Sequence, residues 1–272
     1  INAEDYETTD ISIDELYSGQ RTVELDLERI EIFEKERFLK IEQGEIINLY
    51  PNEYLILTDK NNPFKKALGR YHFRKGGIVP LIRPKEGVWG IHPKNIEQQF
   101  ALDALLNNEI NLVSLVGKAG TGKTLLAIAA GLECAITKQN YSRVLVSRPI
   151  VPMGRDLGFL PGDLNQKVDP YLRPLYDALD DMIPADKLGY YMTTRTIEIA
   201  PLAYMRGRTL DNAFIILDEA QNTNDGQLKM FLTRIGANAK AIITGDPTQI
   251  DLPKNMRSGI DKALRILKNV EG

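Results

Sequence analysis

The segment from Asn111 to Leu132 constrains this chain more than any other. It opens with a short, mostly apolar run, Asn111-Leu-Val-Ser-Leu-Val116. Gly117-Lys118-Ala119-Gly120-Thr121-Gly122-Lys123-Thr124 follows, and then Leu125-Leu-Ala-Ile-Ala-Ala-Gly-Leu132. The first run predicts a buried parallel strand. The last is rich in good helix formers and predicts a helix. The eight residues between satisfy G-x-x-x-x-G-K-[ST] at every constrained position. Gly117, Gly120 and Gly122 let the backbone bend so that several N–H groups face one anion at a helix N-terminus. An ordinary glycine-rich turn would fit the short pattern but not its flanks.

The expected nucleotide-binding residues are therefore Gly117, Lys118, Ala119, Gly120, Thr121, Gly122, Lys123, Thr124 and Leu125. Lys123 is expected to reach the β/γ-phosphates, and the Thr124 hydroxyl to ligate Mg²⁺. A second buried run, Phe214-Ile-Ile-Leu217, ends in Asp218-Glu219-Ala220-Gln221. Open parallel sheets place ligand chemistry at the carboxyl ends of their strands. Asp218 is the candidate to hold Mg²⁺, directly or through water, opposite Thr124. Glu219 is the candidate to orient and deprotonate the attacking water.

A further strand, Ala239-Lys-Ala-Ile-Ile-Thr244, runs into Gly245-Asp246-Pro247-Thr248-Gln249. Gln249 and Thr244 are candidates to sit beside the γ-phosphate and report its hydrolysis. Upstream, Asn95-Ile-Glu-Gln98 precedes the first strand of the sheet. Gln98 is a candidate to read adenine, because its amide both donates and accepts. A polar helix start fits the same residues. The guanine-reading pattern Asn-Lys-x-Asp is absent, and Thr137-Lys-Gln-Asn140 only approaches it, so ATP is the expected nucleotide.

Composition limits the alternatives. No apolar run approaches ~20 residues, so no membrane-spanning helix is expected, and no signal-peptide core is present. Cys134 is the single cysteine, which excludes an internal disulfide and fits a reducing, cytoplasmic setting. His72 and His92 have no partners at metal-ligand spacing. The net charge of −3 argues against nucleic acid, but its distribution does not. Residues 1 to 20 carry six carboxylates and no Lys or Arg, whereas residues 60 to 85 carry eight Lys or Arg and no carboxylate. Such asymmetry separates the roles of the two segments.

The expected organisation is an acidic linker, or the tail of an upstream domain, over 1–22. A small β-rich domain follows over 23–85, a joint over 86–94 with Gly87, Gly90 and Pro93, and an α/β nucleotide-binding domain over 95–272. In the β domain, Ile46–Tyr50 and Tyr54–Thr58 read as strands around Pro51-Asn52. Arg70, His72 and Arg74 alternate with Tyr71 and Phe73, which predicts a basic stripe suited to a phosphate backbone, or a solvated face. Arg143-Val-Leu-Val-Ser147 and Thr196–Pro201 read as further strands. Val151–Gly162, rich in Gly and Pro, reads as a long loop at the phosphate edge. Arg206 and Arg208 flank Gly207, where they can serve a γ-phosphate, an RNA or surface ion pairs.

The motifs in this order resemble the PhoH family of P-loop ATPases over roughly residues 92 to 272. They are Gly117–Thr124, Val146-Ser-Arg-Pro149, Ile197 to Thr209, Ile216-Leu-Asp-Glu-Ala-Gln-Asn222 and Thr244-Gly-Asp-Pro-Thr-Gln-Ile-Asp251. The family is similar to a single domain of superfamily-one helicases. There the Asn-x-x-Gln-x-x-Ala element corresponds to Asn95, Gln98 and Ala101, and the Gly-Asp-x-x-Gln element to Gly245, Asp246 and Gln249. The front of the chain is similar to PIN–TRAM–PhoH fusions, with Ala3-Glu-Asp-Tyr6 resembling the end of a PIN nuclease domain. The acidic nuclease site of those fusions is absent from this sequence. The resemblance implies a RecA-like, mostly parallel sheet behind a TRAM-like β domain. It further implies Mg²⁺-dependent ATP hydrolysis coupled to binding and unwinding of single-stranded RNA, in a hexameric ring. Such a helicase normally closes its site between two domains, so a neighbouring subunit is expected to supply the missing charge, with Arg206 and Arg208 as candidates that could equally act within their own chain or bind RNA. A nucleotide-gated binding module and a small-molecule kinase are the alternative readings.

Overall fold

The computed structural model describes residues 17–42, 46, 48–151, 164–253, 256–260 and 262–263. The chain divides into two compact units, one ending at Leu81 and the other spanning Ile82–Ala263.

The first unit is a five-stranded sheet carrying one helix. In chain order its elements are β1 (Gln20–Leu25), α1 (Leu27–Glu36), β2 (Leu39–Lys40), β3 (Tyr54–Asp59), β4 (Lys66–His72) and β5 (Gly77–Pro80). The spatial order is β1-β3-β4-β5-β2. β1 pairs in parallel with β3, from Gln20 against Tyr54 to Leu25 against Asp59, and the other pairs are antiparallel. Gln20–Thr22, inside the stretch read as linker, thus belong to the sheet.

α1 starts after Asp26 and stops where Arg37 turns left-handed, at φ 59°. Ile30 and Phe33, one turn apart, drop into a core with Leu25, Leu39, Leu55, Leu57, Ala67 and Ile78. Gly69 makes that seat: a Cβ there would lie 2.3 Å from Ile78 Cγ2 and 3.0 Å from the Phe33 ring. Ile46–Tyr50 forms no strand among its described residues.

The basic stripe also breaks up. β4 ends at His72, and Phe73–Lys75 wind into a 3₁₀ turn, so the alternation stops before Arg74. Arg70 is only 5% exposed and donates to Asn52 Oδ1 at 2.7 Å. Tyr71 packs on the core, whereas Phe73 is exposed.

The second unit holds α2 (Ile96–Leu106), β6 (Leu112–Val116), α3 (Lys123–Leu132), β7 (Arg143–Arg148), α4 (Leu164–Asp180), α5 (Ala185–Thr193), β8 (Ile197–Pro201), β9 (Ala213–Leu217), α6 (Asp225–Leu232) and β10 (Lys240–Gly245). Its sheet runs β6-β10-β9-β7-β8, and every pairing is parallel. Every residue of β9 and β10 is buried, as a sheet covered on both faces demands. Parallel strands all end at one edge, so Val116, Gly245, Leu217 and Arg148 bring the glycine loop, the Asp246 turn and the Asp-Glu pair to the same place.

One polar group inside this core stands out. Lys240 is fully buried, and its ammonium donates to the carbonyls of Ala104 (2.7 Å), Asn107 (2.7 Å) and Ile110 (2.6 Å). It donates to carbonyls in the last turn of α2 and just beyond it, and ties that end of the helix to β10.

Most of the expected 151–162 loop lies outside the described residues. α4, α5 and α6 are additions to the expected elements. α6 starts on a capping box, with Asn224 accepting from the Gln227 N–H and the Gln227 side chain from the Asn224 N–H.

Candidate nucleotide site

The glycine loop leaves β6 and enters α3 under local instruction. Gly120 and Gly122 sit at φ +76° and +84°, a region that suits glycine. The loop is fastened to the end of β10: Gly117 N–H donates to Gly245 O at 3.1 Å. Ala119 N–H donates to Asp246 Oδ2 at 2.7 Å. Thr121 Oγ1 closes the loop on Lys118 O at 2.9 Å. The Lys123 ammonium donates to Gly117 O (2.7 Å) and Lys118 O (2.8 Å).

Thr124 comes from the first turn of α3, Asp218 from just after β9 and Thr244 from the end of β10. Both threonine hydroxyls donate to Asp218 Oδ1, at 2.6 Å from Thr124 and 2.7 Å from Thr244. Asp218 is only 2% exposed, and its N–H bonds Ser147 O at 2.8 Å, which locks the ends of β9 and β7 together. Oδ2 of Asp218 accepts no hydrogen bond among the described residues; its nearest cation is Arg148, at 3.9 Å. A hydroxyl beside a carboxylate is a hard-oxygen set that suits Mg²⁺, an ion held by one or two protein oxygens plus phosphates and water. No cluster of three or more His, Cys, Asp or Glu able to hold a metal occurs among the described residues.

Glu219 follows at φ 53°, a left-handed conformation uncommon for a residue with a Cβ. Its Oε2 accepts a 2.5 Å bond from Gln221 Nε2. Gln221 is nearly inaccessible; its amide also donates to Gln249 O (3.2 Å) and accepts from Asp246 N–H (3.1 Å). One carboxamide therefore ties Glu219 to the segment after β10, and Asp246 ties that segment to the glycine loop. Burial pushes the Asp246 carboxyl upward. The hydroxyl and N–H of Thr248 (2.6 and 2.9 Å), the Ala119 N–H and the Lys123 charge outweigh it, and its pKa lies below the ordinary value.

These groups surround a cleft of about 300 Å³. Its walls are Ala119, Gly120 and Gly122–Leu125, then Arg148, Asp218, Glu219, Thr244 and Gly245, and Pro174, Leu175 and Ala178 of α4. Gln98 stands beside the loop: its Nε2 donates to Thr121 O (3.1 Å), and its Oε1 accepts from Lys94 N–H (2.6 Å). Asn95 caps α2 by accepting from Gln98 N–H at 2.8 Å.

Seven expected residues do not line the cleft: Gly117, Lys118 and Thr121 of the glycine loop, Gln98 beside it, and Gln249, Arg206 and Arg208. Gln249 turns an exposed side chain outward while its carbonyl accepts from Gln221. Arg206 is exposed. Arg208 forks onto Glu198, at 2.5 and 2.8 Å. That bond outweighs the opposing effect of burial on both partners, raising the Arg208 pKa and lowering that of Glu198.

Sequence reasoning missed two contributions to the cleft, Arg148 and the α4 wall. Arg148 had a signal, since it follows a strand run at the same edge of the sheet as Asp218.

A parallel sheet with a lysine- and threonine-bearing glycine loop on one strand end, and an Asp-Glu pair on a neighbouring end, defines a P-loop ATPase. Residues 90–272 match the family model described as PhoH-like protein, and the chain belongs to the PhoH family. A PhoH-like protein of Bacillus subtilis (strain 168) is 53% identical over 182 residues, covering 67% of this chain and 56% of that protein. Protein PhoH2 of the same organism is 38% identical over 244 residues, covering 88% of this chain and 55% of its own length. The chain thus spans about half the length of the curated relatives it matches. A solved Sulfolobus solfataricus SWI2/SNF2 ATPase core, in complex with dsDNA, is similar at a TM-score of 0.42 and 19% identity, over 61% of this chain and 34% of that one.

Proposed function

We propose that this chain hydrolyses ATP with Mg²⁺ and couples the cycle to binding and unwinding single-stranded RNA, as the motor part of an RNA-processing protein. The observation that carries the catalytic half is Thr124 meeting Asp218 at 2.6 Å with Glu219 one residue on. Thr124 and Asp218 would hold Mg²⁺, which when bound supplies charge stabilisation to the phosphates. Lys123 and the loop amides bind the β/γ-phosphates. Glu219 takes the proton of the attacking water, held in place by Gln221. Gln98, beside the loop through its bond to Thr121 O, is the candidate to read the adenine. Gln249 reports the γ-phosphate after a movement of the 245–251 segment.

The RNA half is supported by family membership and by the basic 60–85 segment. The head-to-tail hexamer is supported by family membership alone, and Arg206, which is exposed, remains a candidate to contact a neighbour or RNA.

The test is ATP hydrolysis with and without single-stranded RNA, with Glu219→Gln as the control. RNA-stimulated turnover that the substitution abolishes, and that chelation of Mg²⁺ also stops, is the expected result. Turnover indifferent to RNA would replace the motor reading with a nucleotide-gated binding module.

A further inference from the structure

The position of Arg148 has a consequence for how the site is completed. β7 and β9 are paired with Ser147 opposite Leu217, so Arg148, the last residue of β7, and Asp218, the first residue after β9, stand side by side at the edge of the sheet. The Arg148 guanidinium addresses two carboxylates at once, NH1 toward Asp218 Oδ2 and NH2 toward Glu219 Oε1, each at 3.9 Å. Those distances exceed hydrogen-bond range. Among the described residues no acceptor takes any of its five N–H donors. Yet the side chain is only 24% exposed and lines the same cleft as Lys123 and Thr124.

The other two arginines considered for this chemistry differ. Arg208 spends its planar fork on Glu198 at 2.5 and 2.8 Å, and Arg206 faces solvent away from the cleft. Arg148 alone of the three combines donors uncommitted among the described residues, partial burial and a place in the cleft wall. A guanidinium held that way keeps donors within reach of an anion of matching geometry that enters the cleft. A phosphoryl group, with oxygens that accept two parallel N–H bonds, is such an anion.

We infer that Arg148 is a catalytic residue acting within its own chain: on nucleotide binding it leaves the carboxylates and donates to the γ-phosphoryl oxygens. The inference rests on the ATP-hydrolysis reading. In the reaction it serves, a water oxygen bonds to the γ-phosphorus and gives its proton to Glu219. The bond from that phosphorus to the β–γ bridging oxygen breaks, and ADP leaves with the electron pair. Negative charge grows on that bridging oxygen and spreads over the oxygens facing Arg148. Each active site then carries its own arginine, and an assembly donates subunit contacts without having to donate this charge.

The test uses Arg148→Ala and Arg148→Lys in the whole chain. ADP affinity, read with a fluorescent ADP analogue, is expected to stay within about threefold, which also shows that the variants fold. Turnover of ATP should fall on the order of 10²–10³-fold with little change in KM, as loss of a donor to the transition state does. Tight binding of ADP with fluoroaluminate, a mimic of the γ-phosphoryl in flight, should be lost, and lysine should recover only a small part. Mixing equal amounts of Arg148→Ala and Glu219→Gln chains should restore nothing. Wild-type turnover in Arg148→Ala, or a fall in ADP affinity that accounts for the whole loss, overturns the inference. Activity regained on mixing overturns its in-chain form. A wild-type chain that hydrolyses no ATP overturns the proposed function itself, and this inference with it.

Discussion

Lys123 and Lys240 make the same kind of bond for opposite ends. Each ammonium is held by backbone carbonyls, but Lys240 has three acceptors for its three donors, while Lys123 has two. Lys240 is sealed in the core, and Lys123 lines the cleft. A saturated buried cation is structure, because nothing can be added to it without breaking something. A cation one bond short, at a cleft, is a binding group waiting for an anion.

The sharpest way to break this contrast is Lys240→Met. It removes three charge-assisted bonds, leaving Asn107 O only its bond from the Ile110 N–H, and should cost about 3–5 kcal/mol, seen as a Tm lower by roughly 6–20 °C for the unit. A Tm within about 2 °C of wild type would make the bonds incidental. ADP affinity of the molecules that remain folded should be unchanged.

Lys123→Ala should do the reverse. ADP affinity falls on the order of 10²-fold, about 2.7 kcal/mol, and thermal unfolding hardly moves. Calorimetric titration beside a melting curve separates the two outcomes, and a large Tm loss would place Lys123 with Lys240.

Asn224→Ala tests the frame that carries neither lysine. Loss of the α6 cap should cost about 1 kcal/mol by denaturant titration, with turnover intact.

The smallest expected effect is acidic. Glu198 is held below its ordinary pKa by Arg208, so the folded state binds the proton less tightly than the unfolded chain. The pair then stabilises fully above the ordinary carboxylate pKa of about 4.3, and that contribution fades as pH falls through the lower folded value. Both side chains are partly exposed, so the effect is at most about 1 kcal/mol. Stability of wild type and Glu198→Gln, measured from pH 7 down to pH 3, should converge as the pH drops. Curves that stay parallel would remove the pair from the account.

Much of the second unit was legible because its strands are short apolar runs, each ending in a chemically distinctive residue. Phe214–Leu217 before Asp218, and Ala239–Thr244 before Gly245, could be read directly. α4 was not, because Pro170 and Pro174 stand inside it and read locally as breaks. Pro174 instead forms part of the cleft wall. α1 hid among charges, since only Ile30 and Phe33 of its ten residues are buried. The basic stripe failed for a related reason: alternation in sequence marks a shared face only while the strand continues, and β4 stops at His72. Arg148 went unread because pattern tells which residues reach an edge, not which of them still have free donors there.

The strand order has a consequence for how this protein comes into being. β6, which presents the glycine loop, has β10 as its neighbour in the sheet, and the loop itself is fastened to Gly245 and Asp246. On the ribosome the loop emerges well over a hundred residues before the strand that steadies it. Until residue 246 has cleared the exit tunnel, the nascent chain carries the phosphate-binding sequence without the scaffold that shapes it. Competence to bind nucleotide therefore arrives late and all at once, when β10 slides between β6 and β9.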